Sequence, residues 1–283
     1  MPELSDKIFH IKDNKTEISF PSFVLRICCN DRVNGEINLL QSIIKNSPDQ
    51  GSHIFDIGAT GSTFPCHSNT TSFHLFDPDF DKARPDHPCK LYRGDVNYDS
   101  PNVTINKAAV NDTTNRLDDY CKARDISRID FLKIDTDGHD MGVIDSIGDI
   151  DVELIQFEYD MHYFLNHVDI NTFFSKLEGW HFFYILPQGL VEIGDFKHDF
   201  IYSNILASKK YPVDIIRDYK PIINADNVIE TDDVRAFLSE LCWENTPDQV
   251  TSIIDRNDEF CSQYNETIMK KNYYIRYIQL LHD

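Results

Sequence analysis

One short stretch constrains the fold of this chain more than any other: an apolar run that ends in a glycine-rich turn, Ile54-Phe55-Asp56-Ile57-Gly58-Ala59-Thr60-Gly61. The apolar run suits a buried parallel strand, because such a strand has neighbours on both faces. Gly58 and Gly61 permit a tight turn and let a ligand approach the backbone closely. If a helix follows, its first N–H groups point at whatever lies over the turn. The stretch therefore predicts a nucleotide- or nucleoside-binding loop at the carboxyl end of a β-strand.

Segments with strand and helix patterns alternate along the chain on both sides of this turn. Apolar runs that suit strands lie at 23–29, 54–57, 72–76, 103–110, 129–134, 152–157, 181–186 and 200–207. Apolar residues recur at helical spacing within 37–45, 116–124, 141–147 and 173–179. This alternation predicts an α/β fold, with a doubly wound, mostly parallel sheet covered by helices on both faces. The turn Pro187-Gln188-Gly189 links the last two strands, so one of them can run antiparallel.

The chain divides into three parts on these patterns. Residues 1–50 are predicted to form an arm, a strand and a helix that lead into the core, and residues 51–210 form the core. The character changes in residues 211–283, where Thr231 caps one helical pattern and Thr246 precedes a proline that begins another. We therefore expect a helical C-terminal extension.

Composition excludes several classes of partner. The 283 residues carry a net charge of -20, which disfavours nucleic acid and anionic membranes because both repel an acidic surface. No stretch approaches the ~20 apolar residues of a membrane helix, and no basic segment precedes an apolar run at the N-terminus. The seven cysteines lack CxxC spacing, which favours reduced thiols. We expect a cytoplasmic protein that binds a small molecule, without membrane insertion.

Polar residues follow successive predicted strands, where an open parallel sheet binds its ligands. The residues at these strand ends are Asp56, Gly58, Asp77, Ala109, Val110, Asp135, His139 and Glu158. Asp77 lies about 20 positions after the glycine turn, where an acidic residue binds the ribose hydroxyls in doubly wound nucleotide folds. The alternative for Asp77 is a solvated turn residue before a proline.

Two sets of residues raise the question of a metal. Cys66, His67, His74, His87 and Cys89 lack the compact paired spacing of a zinc site. Asp135, Asp137, Glu158 and Asp160 could supply oxygen ligands for Mg²⁺. Acids at strand ends also cap helices or bind a cofactor, and we expect no metal.

Three motifs resemble those of one family. The stretch Ile54–Ala59 resembles the D-x-G-A-N-x-G loop of FkbM-type methyltransferases, and Phe76-Asp77-Pro78 resembles their F-E-P. The most specific match is Lys133-Ile134-Asp135-Thr136-Asp137-Gly138-His139-Asp140, which resembles the family's K-I-D-x-E-G-x-E. Leu117-Asp118-Asp119-Tyr120 and Ile155-Gln156-Phe157-Glu158 also fit, so the resemblance covers roughly residues 25 to 208.

The chain departs from the family pattern at a few positions. Thr60 replaces Asn, Asp137 and Asp140 replace Glu, and His139 replaces a small residue. Asp77 also stands where the family has Glu. The shorter acids keep the charge but change its reach.

The resemblance implies a class I methyltransferase core that binds S-adenosylmethionine. The residues it implies for cofactor binding are Asp56, Gly58, Ala59, Gly61, Asp77, Ala109, Val110 and Asp135. It implies O-methylation of a hydroxyl on a sugar, glycan precursor or similar small molecule, with Glu158 contacting the acceptor. Oligomeric state stays open, although the C-terminal helices could form a dimer contact.

Methyl transfer to a neutral hydroxyl needs a proton acceptor, and two residues qualify. Asp135 ends the most apolar strand and lies beside the expected cofactor site. His139 lies four residues further on, and histidine titrates near ~6.5 in water. A carboxylate of Asp135 or Asp137 could orient its ring. The other interpretation makes His139 a surface helix residue and leaves Asp135 as the base.

Two rival functions come from other classes. Gly58-Ala59-Thr60-Gly61 is similar to the G-A-T-G of nicotinamide-dependent short-chain reductases and epimerases. That loop normally has a third glycine where this chain has Phe64, and no tyrosine here precedes a lysine by four residues, as those enzymes require. The second rival is a binding protein that keeps the fold without catalysis.

Overall fold

The structure is a computed structural model that describes residues 8–15, 17–21, 35–46, 51–59, 70–80, 98–136, 138–159, 170–186, 189–194, 196, 203–211 and 228–230. The chain divides into two compact units, Met1–Asn34 with Ile222–Asp283, and Gly35–Pro221. Within the described residues, the elements in chain order are β1 (Ile8–Lys12), β2 (Glu17–Pro21), α1 (Glu36–Asn46), β3 (Ser52–Ile57), β4 (Thr71–Phe76), β5 (Val103–Asn106), α2 (Leu117–Lys122), β6 (Arg128–Ile134), α3 (Asp140–Asp145), β7 (Asp151–Tyr159), α4 (Ile170–Lys176), β8 (His181–Leu186), β9 (Gly189–Glu192), β10 (Ser203–Ser208) and β11 (Val228–Glu230).

The smaller unit contains a three-stranded sheet in the order β11-β1-β2. β1 and β2 form an antiparallel pair in which His10 lies opposite Ser19. β11 lies parallel to β1 on its other side. This sheet thus joins two strands near the N-terminus to a strand at residues 228–230.

The larger unit contains an eight-stranded sheet in the order β5-β4-β3-β6-β7-β10-β8-β9. The five strands from β5 to β7 are parallel, because each neighbouring pair among them is parallel. β10 runs antiparallel to both β7 and β8, and β9 forms a hairpin with β8. The prediction of a mostly parallel sheet with helices is confirmed.

Helices cover both faces of this sheet. On one face, Leu39, Leu40 and Ile43 of α1 pack against a group that includes Ile54 and Phe131. On the other face, the ring of Phe173 in α4 lies 4.1 Å from that of Phe157 in β7. Tyr120 of α2 packs edge-on against Phe55 of β3 on this second face. Because side chains alternate along a strand, β3 and its neighbours are buried on both faces, as their short apolar runs predict.

Two details of the predicted elements are wrong. The strand expected to continue from Val103 into Ala108–Val110 ends at Asn106, since the Ala108 N–H donates to the Asn106 carbonyl at 2.9 Å and turns the chain. The link after Leu186 was expected to be only a turn, but residues 189–192 form β9. The predicted strand at 23–29 and the predicted C-terminal helices lie outside the described residues.

None of the helices in the described residues is both long and apolar enough to cross a membrane. The cytoplasmic location stays a prediction.

Candidate active site

The glycine turn after β3 lies against the backbone that follows β6. The N–H groups of Gly58 and Ala59 both donate to the Phe76 carbonyl, at 2.8 and 3.0 Å, and the Asp135 N–H donates to the Ile57 carbonyl at 2.9 Å. Gly58 has a φ of +88°, and a Cβ there would lie 1.6 Å from the Asp135 carbonyl oxygen. Only glycine fits this contact. The turn therefore joins the carboxyl ends of β3, β4 and β6 into one rigid edge.

Asp77 is fixed directly beside this turn, at the end of β4. Its N–H donates to the Asn106 carbonyl at 3.1 Å, which extends the pairing with β5. The carboxylate is buried, and its Oδ1 accepts the Asp79 N–H at 2.7 Å. This contact orients the carboxylate at the edge of the sheet, where the sequence predicted a ribose-binding acid.

The loop after β5 is held by its own side chains. The Asn115 amide donates to the Ala109 carbonyl at 3.1 Å, and Asn111 Oδ1 accepts the N–H groups of Thr113 and Thr114. Val110 is buried, whereas Ala109 is exposed. The two predicted cofactor residues thus lie on an ordered loop next to the end of β4, not on a strand.

The loop between β6 and α3 closes on the carboxylate of Asp140, the first residue of α3. Asp140 is buried, and its Oδ1 accepts the Thr136 N–H at 3.1 Å and the Thr136 hydroxyl. His139 is the N-cap of α3, one position before the helix, and is exposed. Its Nδ1 lies 3.1 Å from the Thr136 carbonyl oxygen. Asp137, the third predicted catalytic residue, lies outside the described residues.

Lys133 lies between acidic side chains just before this loop. Its ammonium contacts Asp135 Oδ2 at 3.0 Å and lies 3.9 Å from Glu36 Oε2. Burial disfavours the charged form, but the carboxylates of Asp135, Asp56 and Glu36 outweigh that cost and raise the pKa of Lys133 well above its ordinary value. The surrounding carboxylates therefore favour the charged form of the lysine.

Glu36 begins α1 and is held from two strands. Asn204 on β10 donates its amide to Glu36 Oε1 at 2.8 Å, and Gln156 on β7 donates to Oε2. All three side chains are buried. Both oxygens of this carboxylate are thus fixed by amide donors, and Lys133 lies beyond Oε2.

Asp56 and Glu158 lie next to the group formed by Glu36, Lys133, Gln156 and Asn204. Asp56 is buried and is in register with Lys133, which in turn is in register with Gln156, so the three project from one face of the sheet. Glu158 is half-buried and lies opposite Asn204. The structure thus brings Asp56 and Asp135 together around Lys133, with Gly58 against the backbone of Asp135 and Glu158 further along the same face. Gly61 lies outside the described residues.

Four members of this group were not predicted as site residues from the sequence: Glu36, Lys133, Gln156 and Asn204. A signal was present, because a polar residue interrupts the apolar run of three strands near the carboxyl end, at Asp56, Lys133 and Gln156. A polar residue at such a buried position needs a partner. Within the residues that the structure describes, no three His, Cys, Asp or Glu side chains are placed to hold a metal ion.

Solved structures that resemble the chain do so at low identity. Spermidine synthase from Thermotoga maritima is 14% identical, covers 81% of this chain and 75% of its own, and has a TM-score of 0.37. A human methyltransferase 10 domain containing protein is 14% identical over 62% of this chain and 81% of its own, with a TM-score of 0.33. Thermoplasma acidophilum 1320 is 15% identical over 67% and 96%, with a TM-score of 0.31.

A search among curated proteins finds no match to the chain. Residues 49–240, more than half of the 283, match the family described as the methyltransferase FkbM domain. The match includes the turn at Gly58, the carboxylate at Asp77 and the Lys133–Asp140 segment. The chain is therefore a member of the FkbM methyltransferase domain family.

Proposed function

We propose that the protein transfers a methyl group from S-adenosylmethionine to a hydroxyl of a sugar, glycan precursor or similar small molecule. The observation that carries the proposal is the rigid edge at Gly58, where three strand ends place the carboxylates of Asp77 and Asp135 beside one turn. Family membership supports methyl transfer as the reaction class.

The residues at this edge fit S-adenosylmethionine. Asp77 supplies a fixed, buried carboxylate, which suits the two ribose hydroxyls because both donate hydrogen bonds. The apolar Ala109–Val110 loop offers a surface for the adenine, and the backbone of Gly58 and Ala59 borders the remainder. The bound cofactor supplies an electrophilic methyl group. Asp56 and Asp135 add negative charge near a sulfonium, which is a cation.

His139 is the residue we propose to accept the proton of the acceptor hydroxyl. Since a carbonyl oxygen can only accept, the contact with Thr136 requires that Nδ1 carries the hydrogen. Nε2 then has the lone pair and takes up the proton as the acceptor oxygen attacks. Asp135 contacts an ammonium, which favours its ionised form and suits it to orienting a hydroxyl. Asp137 would support the imidazolium.

The acceptor is proposed to lie over the ends of β6 and β7. Glu158 is half-buried near the end of β7, where a carboxylate can accept hydrogen bonds from sugar hydroxyls. The net charge of -20 favours neutral acceptors over strongly anionic ones.

Cofactor binding is tested by calorimetry with S-adenosylhomocysteine. Asp77→Ala removes the ribose acceptor and should weaken binding by about 1.5–3 kcal/mol. Asp79→Ala is the matched control, because Asp79 is exposed and contributes only its backbone N–H to Asp77. Equal affinity in wild type and Asp77→Ala would remove Asp77 from the site. Binding of a nicotinamide cofactor in place of S-adenosylhomocysteine would favour the reductase alternative.

Turnover is tested by mass spectrometry for the gain of one methyl group across free glycans and nucleotide sugars. Once the acceptor is identified, His139→Gln should lower kcat by ~10²–10⁴. In a plot of kcat against pH, the decrease toward acidic pH, which is the acid limb, should disappear in this variant. An unchanged limb and kcat would leave Asp135 as the base. Cofactor binding without turnover on any acceptor would instead favour the non-catalytic alternative.

A further inference from the structure

We propose that Lys133 is a positioning residue that holds the Asp135 carboxylate at the ligand site, and that Glu36, clamped by Gln156 and Asn204, fixes Lys133 in turn. The inference rests on the proposed function, because it assigns to Asp135 a contact with the bound cofactor. It extends the site to α1 and β10, which carry none of the residues proposed above.

The exposure of the side chains increases from Glu36 through Lys133 to Asp135. Glu36 is 6% exposed, Lys133 17% and Asp135 35%. The inner end is therefore sealed in the core, and the outer end reaches solvent beside the turn at Gly58. A ligand can contact only the outer end, so the inner residues act on it through Lys133.

The clamp on Glu36 leaves the lysine little freedom. Asn204 and Gln156 donate to different oxygens of the same carboxylate, and their amides also lie 3.4 Å apart, Gln156 Nε2 from Asn204 Oδ1. These donors come from two neighbouring strands, so Glu36 cannot rotate without breaking both contacts. The ammonium thus has a fixed counter-charge at 3.9 Å on its inner side and Asp135 at 3.0 Å on its outer side.

The charges in the group explain why a lysine is required. Three carboxylates, Glu36, Asp56 and Asp135, surround one ammonium, and like charges this close repel strongly when water is excluded. Without the ammonium, Asp135 would be pushed outward, away from Asp56. With it, the carboxylate is drawn back to one position at the sheet edge, as a precise hydrogen-bond acceptor requires.

The test is a double-mutant cycle read by S-adenosylhomocysteine affinity, with the thermal unfolding midpoint recorded for every variant. Lys133→Met and Asp135→Asn should each weaken binding about tenfold or more. The double variant should bind at most about threefold more weakly than Asp135→Asn alone, because both changes act on the same contact. Glu36→Gln, a milder change, should weaken binding about threefold or more. Lys209→Met removes a lysine from an exposed ion pair with Asp151 and should bind as wild type does.

Each result supports or overturns the inference. A Lys133→Met protein with a lowered midpoint but wild-type affinity would show a purely structural role. Losses that multiply in the double variant would show that Lys133 does not act through Asp135. If Lys133→Met does not fold, Glu36→Gln decides, since wild-type affinity there overturns the clamp. Failure of the wild type to bind S-adenosylhomocysteine overturns the proposed function itself, a result distinct from all of these.

Discussion

The two faces of the large sheet bury polar groups in opposite ways. Under α1, the group around Lys133 is charged, with an ammonium among three carboxylates. On the opposite face, polar side chains form a neutral chain in which His53 Nδ1 lies 3.1 Å from His74 Nε2, and His74 Nδ1 lies 2.9 Å from the Tyr120 hydroxyl. Both groups are removed from solvent, but only the group around Lys133 is ionised.

The difference lies in the neighbours. Carboxylates raise the pKa of Lys133 in spite of its burial. Burial lowers the pKa of His74 to about 3, and the electrostatic influence of His53 and Arg124 lowers it further. The protein thus keeps ionised groups where counter-charges surround them, at the carboxyl edge that we propose binds the ligand. The chain of neutral groups links β3, β4 and α2 and requires no counter-charge.

The largest expected effect comes from disrupting the contact between Gly58 and the backbone of Asp135, beside the charged group around Lys133. Gly58→Ala places a Cβ 1.6 Å from the Asp135 carbonyl oxygen, at a φ of +88° that disfavours side chains. The ends of β3 and β6 must then separate, and Asp135 moves relative to Lys133. We expect the free energy of unfolding, measured by urea denaturation, to fall by about 4 kcal/mol.

Gly51→Ala is the matched control at the other end of β3. Gly51 has a φ of +84°, but a Cβ there meets no atom within 4 Å. Its loss should be only about 1 kcal/mol, the cost of the backbone conformation alone. Similar losses in the two variants would show that the contact with Asp135 contributes nothing.

The second effect comes from removing the cation on the charged face. Lys133→Met leaves three carboxylates without their counter-ion and should cost about 3 kcal/mol of unfolding free energy. The additional change Glu36→Gln should recover part of this loss, because it removes one of the repelling charges. Lys209→Met, in an exposed pair with Asp151, should cost at most about 1 kcal/mol. A greater loss in Lys209→Met than in Lys133→Met would contradict the distinction between buried and exposed pairs.

The third effect concerns pH and the neutral face. Because the pKa of His74 is about 3 in the folded protein and near ~6.5 in the unfolded chain, only the unfolded chain takes up this proton as the pH falls below ~6.5. The stability is therefore complete above that pH and is lost as the pH falls. Between pH 6.5 and pH 5, His74 should cost about 2 kcal/mol.

His74→Phe isolates this contribution. The variant keeps a ring against Phe55, whose ring centroid lies 4.4 Å from that of His74, and should lose most of the pH dependence above pH 5. His181→Gln, which changes a partly exposed histidine beside Glu192, should keep it. If His74→Phe and the wild type lose stability in parallel from pH 6.5 to pH 5, the neutral state of His74 is not the cause.

Much of the fold was predictable because its central strands are buried on both faces. β3, β4, β6 and β7 each contain a short apolar run that alternates along the chain with helical patterns, and this combination favours a parallel sheet between helices. β9 was missed because it is only four residues long and begins at the glycine of the predicted turn. The insertion of β10 between β7 and β8 depends on pairing over long sequence separations, which local patterns do not encode.

The candidate site was predictable only along its outer edge. Residues that end strands, such as Asp77 and Asp135, are visible in the sequence because ligands bind where parallel strands end. The inner residues are not visible in this way. Glu36 and Asn204 lie 168 positions apart in the sequence, and their contact can be predicted only once the strand order is known. A polar residue within an apolar run, such as Lys133 or Gln156, indicates a buried polar contact. The sequence does not show which residue is its partner.

The smallest expected effect separates burial from hydrogen bonding on the neutral face. Tyr120→Phe removes a hydroxyl that lies 2.9 Å from His74 Nδ1 and accepts the Asn106 amide at 3.4 Å. The free energy of unfolding at pH 7 should fall by about 1 kcal/mol, because a neutral hydrogen bond contributes little beyond the cost of leaving its partner unsatisfied. The ring itself keeps its contacts, including the Arg124 guanidinium 3.7 Å from its centroid. Since burial, His53 and Arg124 lower the pKa of His74, the dependence of stability on pH between 6.5 and 5 should stay as in the wild type. A variant that lost this dependence would show that the tyrosine hydroxyl, and not burial, keeps His74 neutral.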